Sequence, residues 1–314
     1  MTTAVETRRS RGPDSLGRRL RGSLPAYAFL APWLVGLVGL TLGPMLLSLY
    51  YSFSDYSLLS PPEWAGLANY ERMLTDPRFA AALRVTFLYV ALSVPLELVF
   101  ALLVAVVLNR GLRALPLYRA VYYLPSLLGG SVAVAILWRQ IFGNGGLVAQ
   151  LLSAVGVEVP GLVSSPDTAL LTLVVLRVWQ FGAPMVIFLA GLRQIPDDVL
   201  EAAQLDGAGV VQRFFRVTLP LLTPIVFFNL VLQIIGAFQA FTPAFIVSGG
   251  TGGPSDSTLF YTLYLYQRAF GNFEMGYAAA MAWVLLLIIA VFTALNFALR
   301  RFWVFGDEAP EGGR

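Results

Sequence analysis

The chain has 314 residues, of which 57% are hydrophobic and only 12% are charged. Soluble domains usually contain about 45–50% apolar and about 25% charged residues, so this composition indicates lipid as the solvent and excludes an ordinary soluble fold. The net charge of +3 comes from arginines at the ends of apolar stretches. Because they form no basic stripe interleaved with aromatic residues, we expect no nucleic-acid partner.

Three residue types are absent: the chain has no Cys and no His, and all 21 basic residues are arginine. A thiol nucleophile, an imidazole base, a zinc site built from Cys and His and a lysine-containing phosphate loop are therefore excluded. We expect no catalytic residue, metal or cofactor in this chain. If ATP drives the protein, another chain must bind it together with its Mg²⁺.

Apolar runs along the chain predict six transmembrane helices. A bilayer core about 30 Å thick needs roughly 20 apolar residues in a helix. The predicted helices lie near 27–53, 81–108, 121–142, 168–191, 221–247 and 277–299. The fold class is therefore an all-α integral membrane domain over 26–303, between an Arg-rich tail at 1–25 and a short tail at 304–314.

The arginines determine the predicted orientation, because cytoplasmic loops are enriched in basic residues. With the N-terminus inside, fifteen arginines lie on the cytoplasmic side and four lie at or near the outside. Both tails are then cytoplasmic. The external connections are 54–80, 143–167 and 248–276, and within the last of these, 257–270 predicts an amphipathic helix at the membrane interface.

The cytoplasmic connection at 192–220 predicts two short helices joined by a turn. Pro196 suits a first helical position, with Asp197 and Asp198 favourable in the first turn. Gly207 or Gly209 ends this helix, and a second, amphipathic helix follows from about 210 to 218. Local chemistry alone is compatible with a plain amphipathic connector or with a helix that docks into a partner.

A run of residues at fixed spacing decides between these alternatives. It consists of Glu201, Ala202, Ala203, Asp206, Gly207 and Ala208, then Phe215, Leu219, Pro220 and Pro224. This run resembles the cytoplasmic EAA loop of binding-protein-dependent ABC importer permeases. The resemblance implies that a coupling helix between the fourth and fifth membrane helices sits in a groove of the ATPase, with Glu201, Ala202, Ala203, Asp206 and Gly207 in that role.

Other segments are similar to the maltose and glycerol-phosphate branch of these permeases, which takes up carbohydrates. They include Ala31-Pro32, Gly66–Tyr70, Leu189–Pro196, Gly252-Gly253-Pro254 and Gly276–Ala280. The resemblance implies a multi-pass protein of a prokaryotic inner membrane that moves a sugar or polyol by alternating access. Its expected partners are an ATPase dimer, a second permease, usually a different chain, and an external solute-binding protein. Glycerol-3-phosphate or another small solute is the alternative cargo.

Polar residues within the predicted membrane helices are the candidate solute pathway. They are Trp179, Gln180, Asn229, Gln233 and Gln239. Amides and an aromatic face suit an uncharged polyol, because they offer donors, acceptors and a stacking surface. Hydrogen bonding between helices is the alternative explanation.

Glu97 and Arg177 lie within predicted membrane helices and require a partner or water, because a charge at the bilayer centre costs about 2.5–3.5 kcal/mol. Glu97 is either a satisfied structural carboxylate or the ion site of an ion-coupled secondary transporter. Arg177 is either a phosphate ligand or half of a helix-packing ion pair.

Overall fold

The computed structural model describes residues 29–110, 114–157 and 160–305. The predicted tail at 1–25 lies outside the described residues, as does the tail at 304–314 except for its first two residues. The chain divides into two compact units, Met1–Tyr51 and Ser52–Arg314. The first unit contains helix α1 (Phe29–Ser52), which crosses into the second unit at its last residue. Within α1 the segment Leu37–Leu42 is π-helical, and the ring of the following Pro44 prevents a regular bond to the carbonyl four residues earlier.

Five helices in the described ranges are long and apolar enough to cross a bilayer, and a bent pair provides a sixth crossing when counted as one span. The predicted all-α membrane fold is thus confirmed. Counted across the short breaks that some of them contain, the five spans are Phe29–Ser52, Pro77–Leu108, Val132–Ala154, Val210–Val247 and Met275–Phe302. The bent pair is Pro166–Trp179 with Gly182–Leu192.

A small hairpin that the sequence did not predict opens the second unit. Its strands β1 (Ser54–Ser57) and β2 (Ser60–Trp64) pair antiparallel, with Ser54 opposite Trp64. Helix α2 (Ala68–Thr75) follows, and the amide of Asn69 donates hydrogen bonds to the carbonyls of Ser52 and Ser54 at 3.1 and 2.9 Å. These bonds attach α2 to the hairpin.

Helix α3 (Pro77–Leu108) is the centre of the second unit and packs against α7 (Pro166–Trp179), α8 (Gly182–Leu192) and α11 (Leu219–Phe238). Its first turn is capped by Asp76 and begins with proline, which needs no hydrogen-bond acceptor at this position. Small residues on its buried face let neighbouring backbones approach closely, as membrane helices require. These fully buried residues are Ala82, Ala101 and Ala105.

The third predicted helix, near 121–142, is wrong as a single element. The structure has α4 (Leu115–Leu128), α5 (Val132–Phe142) and α6 (Leu147–Ala154) instead. Helix α4 ends at Gly129 and Gly130. The Ser131 hydroxyl then caps α5 by accepting a hydrogen bond from the backbone N–H of Val134 at 3.3 Å.

The fourth and fifth predicted runs, near 168–191 and 221–247, are also interrupted. Helices α7 and α8 meet at a bend of 42°. The cytoplasmic helices α9 (Asp197–Leu205) and α10 (Val210–Arg213) follow α8, and a π-helical turn continues α10 into α11. Helix α11 stops one turn before α12 (Thr242–Val247), where Pro243 starts a new helix because it has no N–H to continue the old one.

The prediction that 257–270 forms a helix at the membrane interface is wrong about where the helix lies. Helix α13 (Tyr261–Tyr266), with the π-helical Gln267–Gly271 after it, packs in the interior, where Tyr261, Leu263 and Tyr264 are fully buried. The pattern of apolar and polar residues did not distinguish a lipid-facing surface from a protein-facing one. The last long helix is α14 (Met275–Leu299).

Candidate functional site

Glu97 and Arg177 of the membrane helices form a buried ion pair. Nε of Arg177 on α7 lies 2.7 Å from Oε2 of Glu97 on α3. The guanidinium also donates to the side-chain amide oxygen and, at 3.3 Å, to the backbone carbonyl of Gln233 on α11. The guanidinium also packs beside Gly236, where a Cβ would lie 3.4 Å from Nη2, an ordinary contact distance. Three helices are thus joined through one arginine.

Asn229 lies one helical turn before Gln233 on the same face of α11 and is fully buried. Its side-chain amide has no hydrogen-bond partner in the described parts of the chain. Buried amides are normally satisfied, so an unpaired one marks a place where water, a solute or another chain supplies the partner. Asn229 is therefore a better candidate for solute contact than Gln233, whose amide oxygen already accepts a hydrogen bond from Arg177.

Gln180 lies at the bend between α7 and α8, and its contacts are structural. Its amide donates to the carbonyls of Gly129 and Leu176 at 3.2 and 3.3 Å. The hydroxyl of Ser126 donates to the Gln180 carbonyl at 2.7 Å and accepts from the backbone N–H of Ala183 at 2.9 Å. These bonds satisfy backbone groups that the bend leaves without a partner inside the helix.

The other two predicted pathway residues lie apart from the Glu97–Arg177 pair. Trp179 is partly exposed, with its ring 6.4 Å from that of Trp138. Gln239 forms the exposed C-cap of α11. No hydrogen bond joins the side chains of the five predicted residues to one another among the residues that the structure describes. Their assignment to a solute pathway stays a prediction.

Replacing Gly182 by leucine is expected to force α4 and α8 apart. A Cβ at this position would lie 2.3 Å from the carbonyl oxygen of Tyr122, which is backbone and cannot move aside cheaply. We expect a loss of roughly 1–3 kcal/mol in the free energy of unfolding, as for other overpacked cores. Unfolding in mixed micelles measures it, and Gly209→Leu is the control, because nothing lies within 4 Å of a Cβ there. Equal stability of the two variants would contradict the prediction.

Helix α9, which contains part of the predicted coupling segment, is accessible along its length. None of its residues is buried, and Asp197 and Asp198 occupy the first turn. At its end, Gly207 adopts a left-handed conformation with φ of 83°, and the N–H of Ala208 donates to the carbonyl of Ala203 at 3.0 Å. This is a Schellman motif, in which glycine is favoured because a Cβ would be strained.

The predicted coupling residues share one exposed surface of this segment. Glu201, Ala202, Asp206 and Gly207 are exposed, and Ala203 is half-buried. The opposite side faces the protein: Leu200 lines a cavity of about 180 Å³ with Asn109 and Phe214. Arg213 on α10 donates to the side-chain oxygen of Gln204 at 3.0 Å. Helix α9 is therefore held between the cytoplasmic end of α3 and the start of the segment that continues into α11.

A network of charged and aromatic residues at the external end was not predicted from the sequence. Asp76 accepts hydrogen bonds from the hydroxyls of Tyr264 and Tyr277 and pairs with Arg268 at 3.2 Å. Arg268 also pairs with Glu274 at 3.2 Å. Burial and the hydrogen bond to Asp76 raise the pKa of Tyr264 to about 12, so its hydroxyl stays protonated and donates. The sequence indicates that Asp76 caps the helix that begins at Pro77, but its three other partners lie 188 to 201 residues away in sequence.

Comparison with known proteins finds a family of membrane transport components and permease relatives. A family described as binding-protein-dependent transport system inner membrane component matches residues 77–303. The probable ABC transporter permease protein YesP of Bacillus subtilis is 52% identical over 93% of this chain and 95% of its own length. The lactose transport system permease protein LacF of Rhizobium radiobacter is 32% identical over 88% of this chain and 93% of LacF.

A solved structure has the same fold. It is a chain of a bacterial alginate ABC transporter in complex with an alginate pentasaccharide-bound periplasmic protein, and it superposes with a TM-score of 0.79. The match covers 91% of this chain and 97% of the other at 19% sequence identity, so it shows the shared fold alone.

Proposed function

Because this chain belongs to the family of binding-protein-dependent transport system inner membrane components, we propose that it translocates a saccharide as the permease subunit of an ATP-driven importer. Its cargo is a sugar, since relatives that match nearly the whole chain include a lactose permease. An ATPase dimer drives the cycle from the cytoplasm. A second permease subunit completes the pathway, and an external solute-binding protein delivers the cargo.

The observation that carries this proposal is that α9 is exposed on one side and packs on the other against the segment that leads into α11. Closure of the ATPase dimer moves α9, and its packing against α10 and the π-helical turn Phe214–Thr218, together with the hydrogen bond from Arg213 to Gln204, transmits the movement to α11. Rigid helices then rock as units, which changes the side from which the pathway is open. Glu201, Ala202, Ala203, Asp206 and Gly207 form the surface that enters the ATPase groove.

The Glu97–Arg177 pair supports this mechanism over the two alternatives that the sequence left open. An ion-coupled transporter needs a carboxylate that exchanges its partner, whereas Glu97 is held by Arg177 at 2.7 Å. The guanidinium of Arg177, the candidate phosphate ligand, binds Glu97 and Gln233 instead. Neither side chain is thus available for an ion or a phosphate.

Reversing the charge of Glu201 is expected to remove the ATPase from the complex. The assembly is purified through a tag on this chain in mild detergent, and the co-purifying chains are identified and quantified. We expect Glu201→Arg to reduce the ATPase yield at least tenfold while the second permease is retained, because an unpaired charge at a protein interface costs roughly 2–5 kcal/mol.

The control is Glu63→Arg, the same charge change at an exposed residue of the external hairpin. It is expected to leave the ATPase yield unchanged. Wild-type protein that brings down no ATPase would overturn the importer assignment. An equal ATPase yield from the Glu201→Arg variant would instead remove α9 from the coupling role.

A further inference from the structure

A cavity of about 830 Å³ lies at the end of the second unit that the arginine distribution places outside. This volume is within the roughly 300–1,000 Å³ of small-ligand sites. Its walls come from the end of α5, the following glycine-rich turn, the end of α12 and the loop Thr251–Pro254. None of its lining residues is aromatic, so recognition there depends on polar groups.

Arg139 is the cation of this cavity. It lies in the last turn of α5, and its one protein hydrogen bond among the described residues is a long one, 3.5 Å, to the carbonyl of Ile246. A guanidinium has five N–H donors, so most donors of this exposed side chain have no protein partner among the described residues. Gly249, with φ of 66°, adjoins the guanidinium, since a Cβ there would lie 3.7 Å from Nη1, an ordinary contact distance.

Arg139 differs from the other external arginines. Arg72 pairs with Glu274 at 2.8 Å, Arg78 with Asp256 at 2.9 Å, and Arg268 with Asp76 and Glu274. No carboxylate lines the cavity beside Arg139 within the described ranges. A planar cation with unused donors in the wall of a polar cavity is suited to bidentate binding of a carboxylate.

We infer that this cavity is an external subsite that binds a carboxylate group of the cargo through Arg139, and that the imported saccharides contain uronic acids. This inference rests on the proposed function, because it specifies the class of saccharide. The side-chain amides of Gln140 and Asn144 supply further hydrogen-bonding groups for sugar hydroxyls. The carboxylate orients the sugar at the entrance before it moves inward toward Asn229.

The test measures binding to the assembly purified from its native membrane and placed in phosphatidylcholine nanodiscs. Disaccharides of glucuronate, galacturonate and mannuronate are titrated calorimetrically, each beside its methyl ester, which keeps the shape and removes the charge. We expect at least one acid to bind at least tenfold more tightly than its ester. Arg139→Gln is expected to abolish this preference without changing ester binding, and Arg139→Lys to keep part of it, because lysine retains the charge but not the fork.

Arg216→Gln is the matched control, the same change at an exposed cytoplasmic arginine, and it should keep the full preference. Equal affinity for acid and ester, no binding of either, or a preference that survives Arg139→Gln would overturn the inference. The inference would also be overturned if the acids did not bind in phosphatidylcholine and Arg139 bound phosphatidylglycerol instead. The cavity would then hold a lipid headgroup and not a sugar carboxylate. If the ATPase still co-purifies in these cases, the importer assignment stands and only the uronate subsite falls.

Discussion

Arg177→Met is expected to destabilise the protein by on the order of 3–5 kcal/mol, because it leaves the Glu97 carboxylate buried without a partner. The Glu97 side chain is 3% exposed, so water cannot replace the guanidinium. The substitution also removes the donor to the amide oxygen of Gln233. Without Arg177, the ion pair and the hydrogen bond that join α7 to α3 and α11 are both lost. The measurement is the free energy of unfolding in mixed micelles.

The double variant Glu97→Met with Arg177→Met is the informative control. Replacing both members of a buried ion pair by apolar residues of similar volume is often nearly neutral. We therefore expect the double variant to recover most of the stability, with a residual loss from the unpaired Gln233. A double variant as unstable as Arg177→Met alone would show that the arginine acts through packing and not through the ion pair.

Asp76→Ala is expected to cost about 2–4 kcal/mol, the second-largest effect. The carboxylate caps α3 by accepting from the N–H groups of Arg78 and Phe79 at 2.9 and 3.3 Å. Its loss costs about 1 kcal/mol as a missing cap, and the hydroxyls of Tyr264 and Tyr277, which lose their acceptor, add a similar amount each. The readout is again unfolding in mixed micelles.

Asp256→Ala serves as the matched control for this variant. Asp256 pairs with Arg78 at 2.9 Å, but both side chains are more than a third exposed, and exposed pairs typically contribute less than about 1 kcal/mol. A loss for Asp76→Ala no larger than that for Asp256→Ala would show that the external network does not hold α3, α13 and α14 together.

The same network gives a pH dependence. Burial acts to raise the pKa of Asp76, but hydrogen bonds from Tyr264, Tyr277 and two backbone N–H groups outweigh it and lower the pKa below its usual value of 3.8. The carboxylate therefore binds a proton more readily in the unfolded chain, so its stabilising effect is present above about pH 4 and is lost as the pH falls through the folded pKa. The difference in stability between wild type and Asp76→Asn is expected to shrink on acidification from neutral pH. A constant difference would contradict it.

Several features were determined by the sequence alone. Apolar run length and arginine placement led to the all-α membrane fold, because each crossing must satisfy its backbone within one helix and basic residues favour one side. The boundaries of α9 followed from local signals: two aspartates in its first turn and Gly207 at its end. The spacing of Glu201 through Pro224 led to the permease family, which matches residues 77–303.

Tertiary structure decided the rest, because those outcomes depend on residues far apart in sequence. Glu97 meets Arg177 across 80 residues, and Asp76 meets Arg268 across 192. The bend at Gln180 depends on Ser126 of another helix, and the burial of Tyr261 depends on what surrounds α13. Apolarity looks the same whether a helix faces lipid or protein, so hydropathy located the helices and only packing determined which of their polar groups are paired and which, like Asn229 and Arg139, remain available.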